Sequence, residues 1–152
     1  MPMQNSVVEF DIPTFIKNEA ERLQNENPTI TKTVTNEKSS EVKQTKISNW
    51  NNELAHFATV NLNKSGNSDF LKERIGDTLI FSTPNSSKNS TVVKVIYQND
   101  TPTELQITKI TQNLLFVNEE HLFYSKGKTY SITKNQHVKG MGTNNYIIKG
   151  DF

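Results

Sequence analysis

Strand-like alternation over the last third of the chain, residues 114–152, constrains the fold more than any other feature. Tyr130 and Ile132 are separated by one residue, and so are Tyr146 and Ile148. This spacing of two puts such side chains on one face of a β-strand and leaves the opposite face in water. Turns that contain glycine separate the segments, and short turns favour antiparallel neighbours. The sequence therefore predicts an antiparallel sheet, on which the rest of the chain must pack.

Two segments before this sheet have helical periodicity. In the first, Asp11 is a predicted N-cap ahead of Pro13, and Pro28 ends the helix after Asn27. Its apolar stripe comprises Ile12, Phe15, Ile16, Ala20 and Leu23. In the second segment Asn49 is the predicted N-cap, and the stripe comprises Trp50, Leu54, Phe57 and Ala58. Both stripes predict helices that bury one side against the sheet.

The remaining elements are predicted strands and one loop. Residues 29–35 and 42–47 are polar and β-branched, which predicts a hairpin at an edge of the sheet. Six further strands are predicted at 78–83, 91–98, 103–111, 114–117 extending towards 124, 129–138 and 144–149. A bulge is expected near Lys109, where the alternation slips, and 114–117 is interpreted as a central strand covered on both faces. Residues 61–77 predict a loop that covers one end of the sheet as a lid.

Length and aromatic content together indicate a single domain. A chain of 152 residues can bury a core of its own. Only 33% of the residues are hydrophobic, but eight Phe, four Tyr and one Trp supply large core side chains. We therefore predict an α+β domain in which two amphipathic helices pack on a curved antiparallel sheet. The N-terminal hairpin and a six-strand C-terminal meander form this sheet.

Composition disfavours several functional classes. Only Arg22 and Arg74 among the 17 basic residues are arginines, whereas proteins that read duplex DNA place several arginines on one face, so no nucleic-acid partner is expected. No apolar run approaches the ~20 residues of a membrane-spanning helix. The chain has no cysteine, and His56, His121 and His137 lack the spacing of a zinc-binding helix. The sequence therefore predicts neither a metal site nor a cofactor.

Seven short segments follow one another in an order that resembles an uncharacterised family of small exported bacterial lipoproteins. They are FDI at 10–12, EAERL at 19–23, KTV at 32–34, NWNNEL at 49–54, NLNKS at 61–65, YSI at 130–132 and NYIIKG at 145–150. The resemblance implies a periplasmic or cell-envelope location, with residues 1–9 as an N-terminal tether and 10–152 as the domain. It implies membrane attachment only through a lipidated cysteine, which this chain lacks, so a cytoplasmic location stays open. It transfers no catalytic residues.

Two functional classes remain. We favour a non-enzymatic binding or scaffold domain that holds an apolar small molecule or a protein partner. The predicted lining residues of its pocket are Phe57, Phe70, Phe81, Tyr97, Phe116, Phe123 and Tyr130. The alternative is a small hydrolase or isomerase with a cone-shaped pocket, in which His121 or His137 forms an acid-base pair with Asp77 or Glu104.

Overall fold

Strands account for most of the molecule. The computed structural model describes residues 10–60, 62, 70–84 and 89–152. Within these ranges the chain forms one antiparallel sheet of nine strands and two α-helices, and the sheet is open. Strand makes up 59% and helix 18%, so the fold is α+β but dominated by its sheet.

The elements follow one another along the chain with short connections between most strands. They are α1 Ile12–Glu26, β1 Thr29–Asn36, β2 Ser40–Lys46, α2 Trp50–Glu53, a 3-10 helix Ala55–Thr59, β3 Leu71–Ile75, β4 Thr78–Ser82, β5 Asn89–Gln98, β6 Thr101–Gln112, β7 Phe116–Ser125, β8 Thr129–Val138 and β9 Gly142–Asp151. The strand order in the sheet is β2-β1-β9-β8-β7-β6-β5-β4-β3. The chain from β3 to β9 is therefore a meander, and β1 pairs with β9 to place the N-terminal hairpin beside the C-terminal strand.

The first helix forms where the sequence predicts it. The Asp11 side chain accepts a hydrogen bond from the backbone N–H of Thr14 at 3.2 Å, which satisfies one of the free donors at the helix N-terminus. Asn27 ends the helix in the left-handed conformation at φ 48°, and its N–H donates to the carbonyl of Leu23. The predicted stripe is buried except for Phe15, which is half-buried and packs against the core.

The second helix is shorter than predicted. It ends at Glu53, and the chain continues as the 3-10 helix. Trp50, Leu54 and Phe57 are fully buried as predicted, but Ala58 is exposed. The prediction was wrong for Ala58 because a 3-10 helix has three residues per turn, so positions separated by three stay on one side and the fourth rotates into solvent.

Two rows of paired residues form the apolar floor beneath the helices, on what we call the inner face of the sheet. One row is Leu105, Tyr124, Tyr130 and Gly150, and the next is Ile107, Leu122, Ile132 and Ile148. Helix side chains pack directly on this floor: the Phe57 ring lies 6.1 Å from the Tyr124 ring, and the Trp50 ring 5.8 Å from the Tyr130 ring. Gly150 is required there because an added Cβ would lie 2.1 Å from the Tyr130 ring.

Three local predictions were wrong. Residues 71–75 form the edge strand β3 rather than a lid, and positions 61 and 63–69 of the predicted lid lie outside the described residues. The pairing of β6 is continuous at Lys109, and the register shifts instead between Ile96 and Tyr97. The shift occurs there because Tyr97 pairs with Pro102, which has no N–H to donate to a ladder.

The third error concerns the predicted central strand at 114–117. Leu114 is 86% and Leu115 67% exposed, and β7 begins only at Phe116. The Asn113 side chain accepts hydrogen bonds from the N–H groups of Leu115 and Phe116 at 2.7 and 3.0 Å, and this turn reverses the chain. Turn chemistry at one asparagine therefore overrides the apolar run that follows it.

Candidate functional site: a polar cleft on the inner face

The inner face changes from apolar to polar beyond the part that the helices cover. Strands β6 to β9 each continue for two more inward positions past the apolar floor, and every one of these positions carries a polar or aromatic polar side chain. The first row, here called the charged row, is Lys109, Glu120, Lys134 and Tyr146. The second, here called the amide row, is Thr111, Asn118, Gln136 and Asn144. The four strands thus change chemistry at the same level of the sheet.

The two rows, together with Glu119 and Asn135, line a cleft of about 390 Å³, here called the polar cleft. The 3-10 helix contacts one of its lining residues, because the Lys109 ammonium donates to the Thr59 hydroxyl at 3.2 Å. Asn118, Glu120 and Gln136 are half-buried, so the walls are partly removed from solvent. A cleft of this size is within the range of small-molecule sites, although its lining is more polar than is usual.

The charges in the polar cleft are unevenly paired. Lys134 lies 3.6 Å from a Glu120 carboxylate oxygen, with the two side chains 40% and 27% exposed. Lys109 has the neutral hydroxyl of Thr59 as its hydrogen-bond acceptor. Two ammonium groups and one carboxylate therefore give the row a net charge of +1.

His56 lies within the electrostatic reach of this row. Burial lowers the pKa of the His56 imidazole below its ordinary 6.5, and Lys134 and Lys109 lower it further against the opposing effect of Glu120. At neutral pH the imidazole is therefore uncharged, and the cleft gains no third positive charge from it.

Two tyrosine-carboxylate pairs hold the helices against the sheet, four residues along β7 and β8 from the charged row. The Tyr124 hydroxyl donates to Glu19 at 2.6 Å, and the directly paired Tyr130 donates to Glu53 at 2.5 Å. Each carboxylate also pairs with a cation: Arg22 lies 2.8 Å from Glu19, and Lys32 lies 2.9 Å from Glu53. The arrangement positions α1 and α2, and through α2 the 3-10 helix that contacts the charged row.

Protonation states in these pairs follow from burial. Burial raises the pKa of the Tyr124 phenol well above its ordinary 10.0, and the hydrogen bond to Glu19 raises it further. Burial also raises the pKa of Glu19, but hydrogen bonds from Arg22 and Tyr124 outweigh this effect and bring the pKa below 4.5. Glu19 is thus a buried anion with three partners, the third being Lys126 at 3.7 Å.

The structure distributes the predicted lining residues over several environments. Phe57, Phe81 and Tyr130 are buried in the core, and Phe70 and Tyr97 are half-buried against it. Tyr97 also lines a separate cavity of about 390 Å³ with Lys126 and Lys128. Phe116 and Phe123 are half-buried in β7.

These aromatic residues do not share one site. Phe123 alternates with the inward-facing Leu122 and Tyr124, and so points to the opposite face from Phe57. The polar cleft is lined instead by Lys109, Glu120, Lys134, Gln136 and Tyr146 among others.

The two histidines of the predicted acid-base pair, His121 and His137, contact residues other than Asp77 and Glu104. His121 Nε2 lies 3.5 Å from Glu119, and His137 Nδ1 lies 3.0 Å from the Thr143 hydroxyl. Glu104 is paired with Ser125 of β7, and His137 is paired with Val117 of the same strand. Ser125 and Val117 are eight residues apart, so roughly 27 Å separates Glu104 from His137.

The other three combinations are also separated. His121 pairs with Thr108, four residues from Glu104 along β6, which corresponds to roughly 14 Å. Asp77 lies in the turn between β3 and β4, so at least three strand spacings, roughly 14 Å across the sheet, separate it from His121 on β7, and His137 on β8 is one strand further.

Comparisons with known proteins give no relative. No protein-family model matches the chain, and no curated protein and no solved structure is significantly similar to it. The resemblance to exported lipoproteins therefore stays a prediction. Among the residues that the structure describes, no helix combines the length and apolarity needed to span a membrane. In the same part of the chain no three His, Cys, Asp or Glu side chains come together as a metal site requires.

Proposed function

We propose that this protein is a non-enzymatic binding domain that takes a hydroxyl-rich polar small molecule, such as a saccharide, in the polar cleft. The observation that carries the proposal is the simultaneous change of β6 to β9 from apolar to polar inward residues. Where a strand simply extends beyond the core into solvent, its inward positions can carry polar residues of any kind. Here the inward positions instead combine three amide side chains and one hydroxyl side chain with an aromatic ring and charges around one cavity.

The amide row suits hydroxyl ligands for a chemical reason. An Asn or Gln side chain has one group that donates and one that accepts, and a sugar hydroxyl needs both. Asn118, Gln136 and Asn144 come from three adjacent strands with Cβ atoms about 5 Å apart, so the three amide groups can contact several hydroxyls of one ligand. Tyr146 is 40% exposed and offers a ring face on which a sugar can stack.

The polar ligand replaces the apolar ligand that the sequence suggests. Phe57, Phe81 and Tyr130 fill the interior of the domain and have 0 to 3% exposure, so an apolar guest would have to displace core packing. The polar cleft needs no such displacement. A binding role is favoured over the acid-base alternative because His121 and His137 are exposed on strands and have partners other than Asp77 and Glu104.

The location of the domain is a separate proposal. We propose the periplasm or cell envelope, with lipid anchoring through a segment beyond the described residues, on the basis of the segment order that resembles exported lipoproteins. Cell fractionation of the protein expressed from its complete coding sequence tests this, and recovery in the cytoplasmic fraction would contradict it.

A saccharide panel tests the binding proposal. Neutral and acidic oligosaccharides are titrated into the labelled protein, and binding is followed by amide chemical shifts. We expect saturable shifts in the amide row, and about tenfold weaker binding for Gln136→Ala, since a hydrogen-bonding amide is lost. Gln106→Ala is the matched control because Gln106 lies on the opposite face of β6. Binding that is equally weakened by both variants, or hydrolysis of the saccharide, would contradict a binding role at this cleft.

A further inference from the structure

The charged row is continuous across four neighbouring strands, and its first three side chains alternate between positive and negative charge. Lys109 of β6 pairs with Glu120 of β7, and Glu120 pairs with Lys134 of β8. Cβ atoms of directly paired residues are about 5 Å apart, so the two lysines flank the glutamate at about 10 Å from each other. A lysine side chain is long enough for both ammonium groups to reach one group bound between them.

We infer that the polar cleft selects an acidic saccharide, whose carboxylate is held between Lys109 and Lys134. This inference rests on the proposed function and adds the chemical class of the ligand. Two cations and one anion leave a charge of +1 in the row, and one further carboxylate neutralises it. Glu119 also borders the cleft, but it alternates with Glu120 along β7 and lies 3.5 Å from His121, so its carboxylate is on the other face of the sheet. In a partly desolvated cleft this neutralisation is worth more than in water, because the effective dielectric constant is lower.

The lysine contacts show that both cations have donors to spare. Each ammonium has three N–H donors. Lys109 uses one on Thr59, a neutral acceptor at 3.2 Å, and Lys134, which pairs with Glu120 at 3.6 Å, directs at most one donor towards that carboxylate. By comparison, the ammonium group of Lys32, beside α2, lies only 2.9 Å from the Glu53 carboxylate. The ammonium groups of the charged row are thus available to a ligand.

The environment of His56 agrees with this geometry. Lys109, Glu120 and Lys134 all influence the imidazole, so their charges converge on one region next to the 3-10 helix. Because His56 is neutral, it adds nothing to the +1 charge that Lys109, Lys134 and Glu120 give the row.

The test compares trigalacturonate with its methyl ester, which has the same hydroxyls and ring faces but no charge. Isothermal titration calorimetry gives the two dissociation constants at low salt. We expect the acid to bind at least about tenfold more tightly than the ester, with the difference shrinking as salt is added. Lys109→Gln and Lys134→Gln should each remove most of this preference, and Lys94→Gln, on the opposite face of β5, should leave it unchanged.

A gain-of-affinity variant guards against misfolding. Glu120→Gln removes the carboxylate that competes for the lysines, and we expect it to strengthen binding of the acid several-fold without affecting the ester. Equal affinity of acid and ester would overturn the acidic-ligand inference and leave the proposed function standing. Absence of binding by either probe would overturn both. Loss of binding in Lys126→Gln rather than in Lys109→Gln would place the acid in the cavity beside Tyr97 and would also overturn the inference.

Discussion

Replacing Tyr124 by phenylalanine removes one hydroxyl from the core and leaves the ring in place. The hydroxyl donates to Glu19 at 2.6 Å, and both residues are at most 5% exposed. Hydrogen bonds to charged groups contribute about 1.5–3 kcal/mol, and Glu19 keeps Arg22 and Lys126 as partners. We therefore expect the free energy of unfolding to fall by about 2 kcal/mol at pH 7, which lowers the melting temperature by roughly 4–8 °C for a chain of this size.

The pH dependence of this loss follows from the lowered pKa of Glu19. A carboxyl whose pKa is lower in the folded state stabilises the fold fully above its unfolded-state pKa of 4.5, and this stabilisation is lost as the pH falls through the lower folded-state value. Protonation of Glu19 turns the bond from Tyr124 into a neutral one, worth about 1 kcal/mol. The difference between wild type and Tyr124→Phe should therefore shrink, towards about half of its size at pH 7, as the pH falls through the folded-state pKa of Glu19.

Urea unfolding followed by far-ultraviolet circular dichroism measures both quantities. Tyr146→Phe is the matched control, because Tyr146 is 40% exposed and its loss of a hydroxyl should change the free energy of unfolding by less than about 0.5 kcal/mol. Equal losses for the two variants, or a Tyr124→Phe loss that does not change with pH, would refute the reasoning that a buried anion is anchored by this phenol.

Three further predictions concern stability. Gly150→Ala should destabilise the fold by at least about 2 kcal/mol in chemical unfolding, since the new Cβ meets the Tyr130 ring at 2.1 Å, and the cost should shrink in a Tyr130→Leu background; an equal cost in both backgrounds would contradict it. Tyr130→Phe should cost about 2 kcal/mol through its lost bond to Glu53, and a cost within experimental error would count against that bond. Leu114→Ser should leave the melting temperature within about 2 °C of wild type, because this side chain is 86% exposed; a large decrease would restore the prediction of a central strand.

Local chemistry made much of the fold predictable. The first helix begins at a capping aspartate and ends at an asparagine before proline, and both signals act over a few residues. The turn between β5 and β6 was predicted for the same reason, since Asn99 and Asp100 both adopt positive φ, at 53° and 64°. Strand β3 was missed because Leu71–Ile75 is exposed throughout and carries no buried stripe to announce it.

The candidate site depends on information that the linear sequence does not carry. Lys109, Glu120 and Lys134 are 11 and 14 residues apart and belong to no motif. They meet only because the register places them in one row, and a shift by one residue in any strand would turn its side chain to the other face. The sequence does show that the period-two alternation continues past Ile107, Leu122, Ile132 and Ile148 with polar residues. This pattern identifies a site only when the strand pairing is known.

Anchoring carboxylates were missed for a related reason. In the sequence both glutamates look like ordinary solvent-facing helix residues. In the structure Glu19 lies on the buried side of α1 among apolar residues, and Glu53 is the last residue of α2. Only the positions of Tyr124 and Tyr130 on paired strands reveal why two acids are retained at the interface.

Amide chemical-shift mapping with trigalacturonate tests the central claim most directly. If the polar cleft is the binding site, saturable shifts should cluster in the charged and amide rows and disappear in the Lys109→Gln, Lys134→Gln double variant. Shifts confined to the opposite face of the sheet or to the cavity beside Tyr97, or no shifts at millimolar ligand, would contradict it.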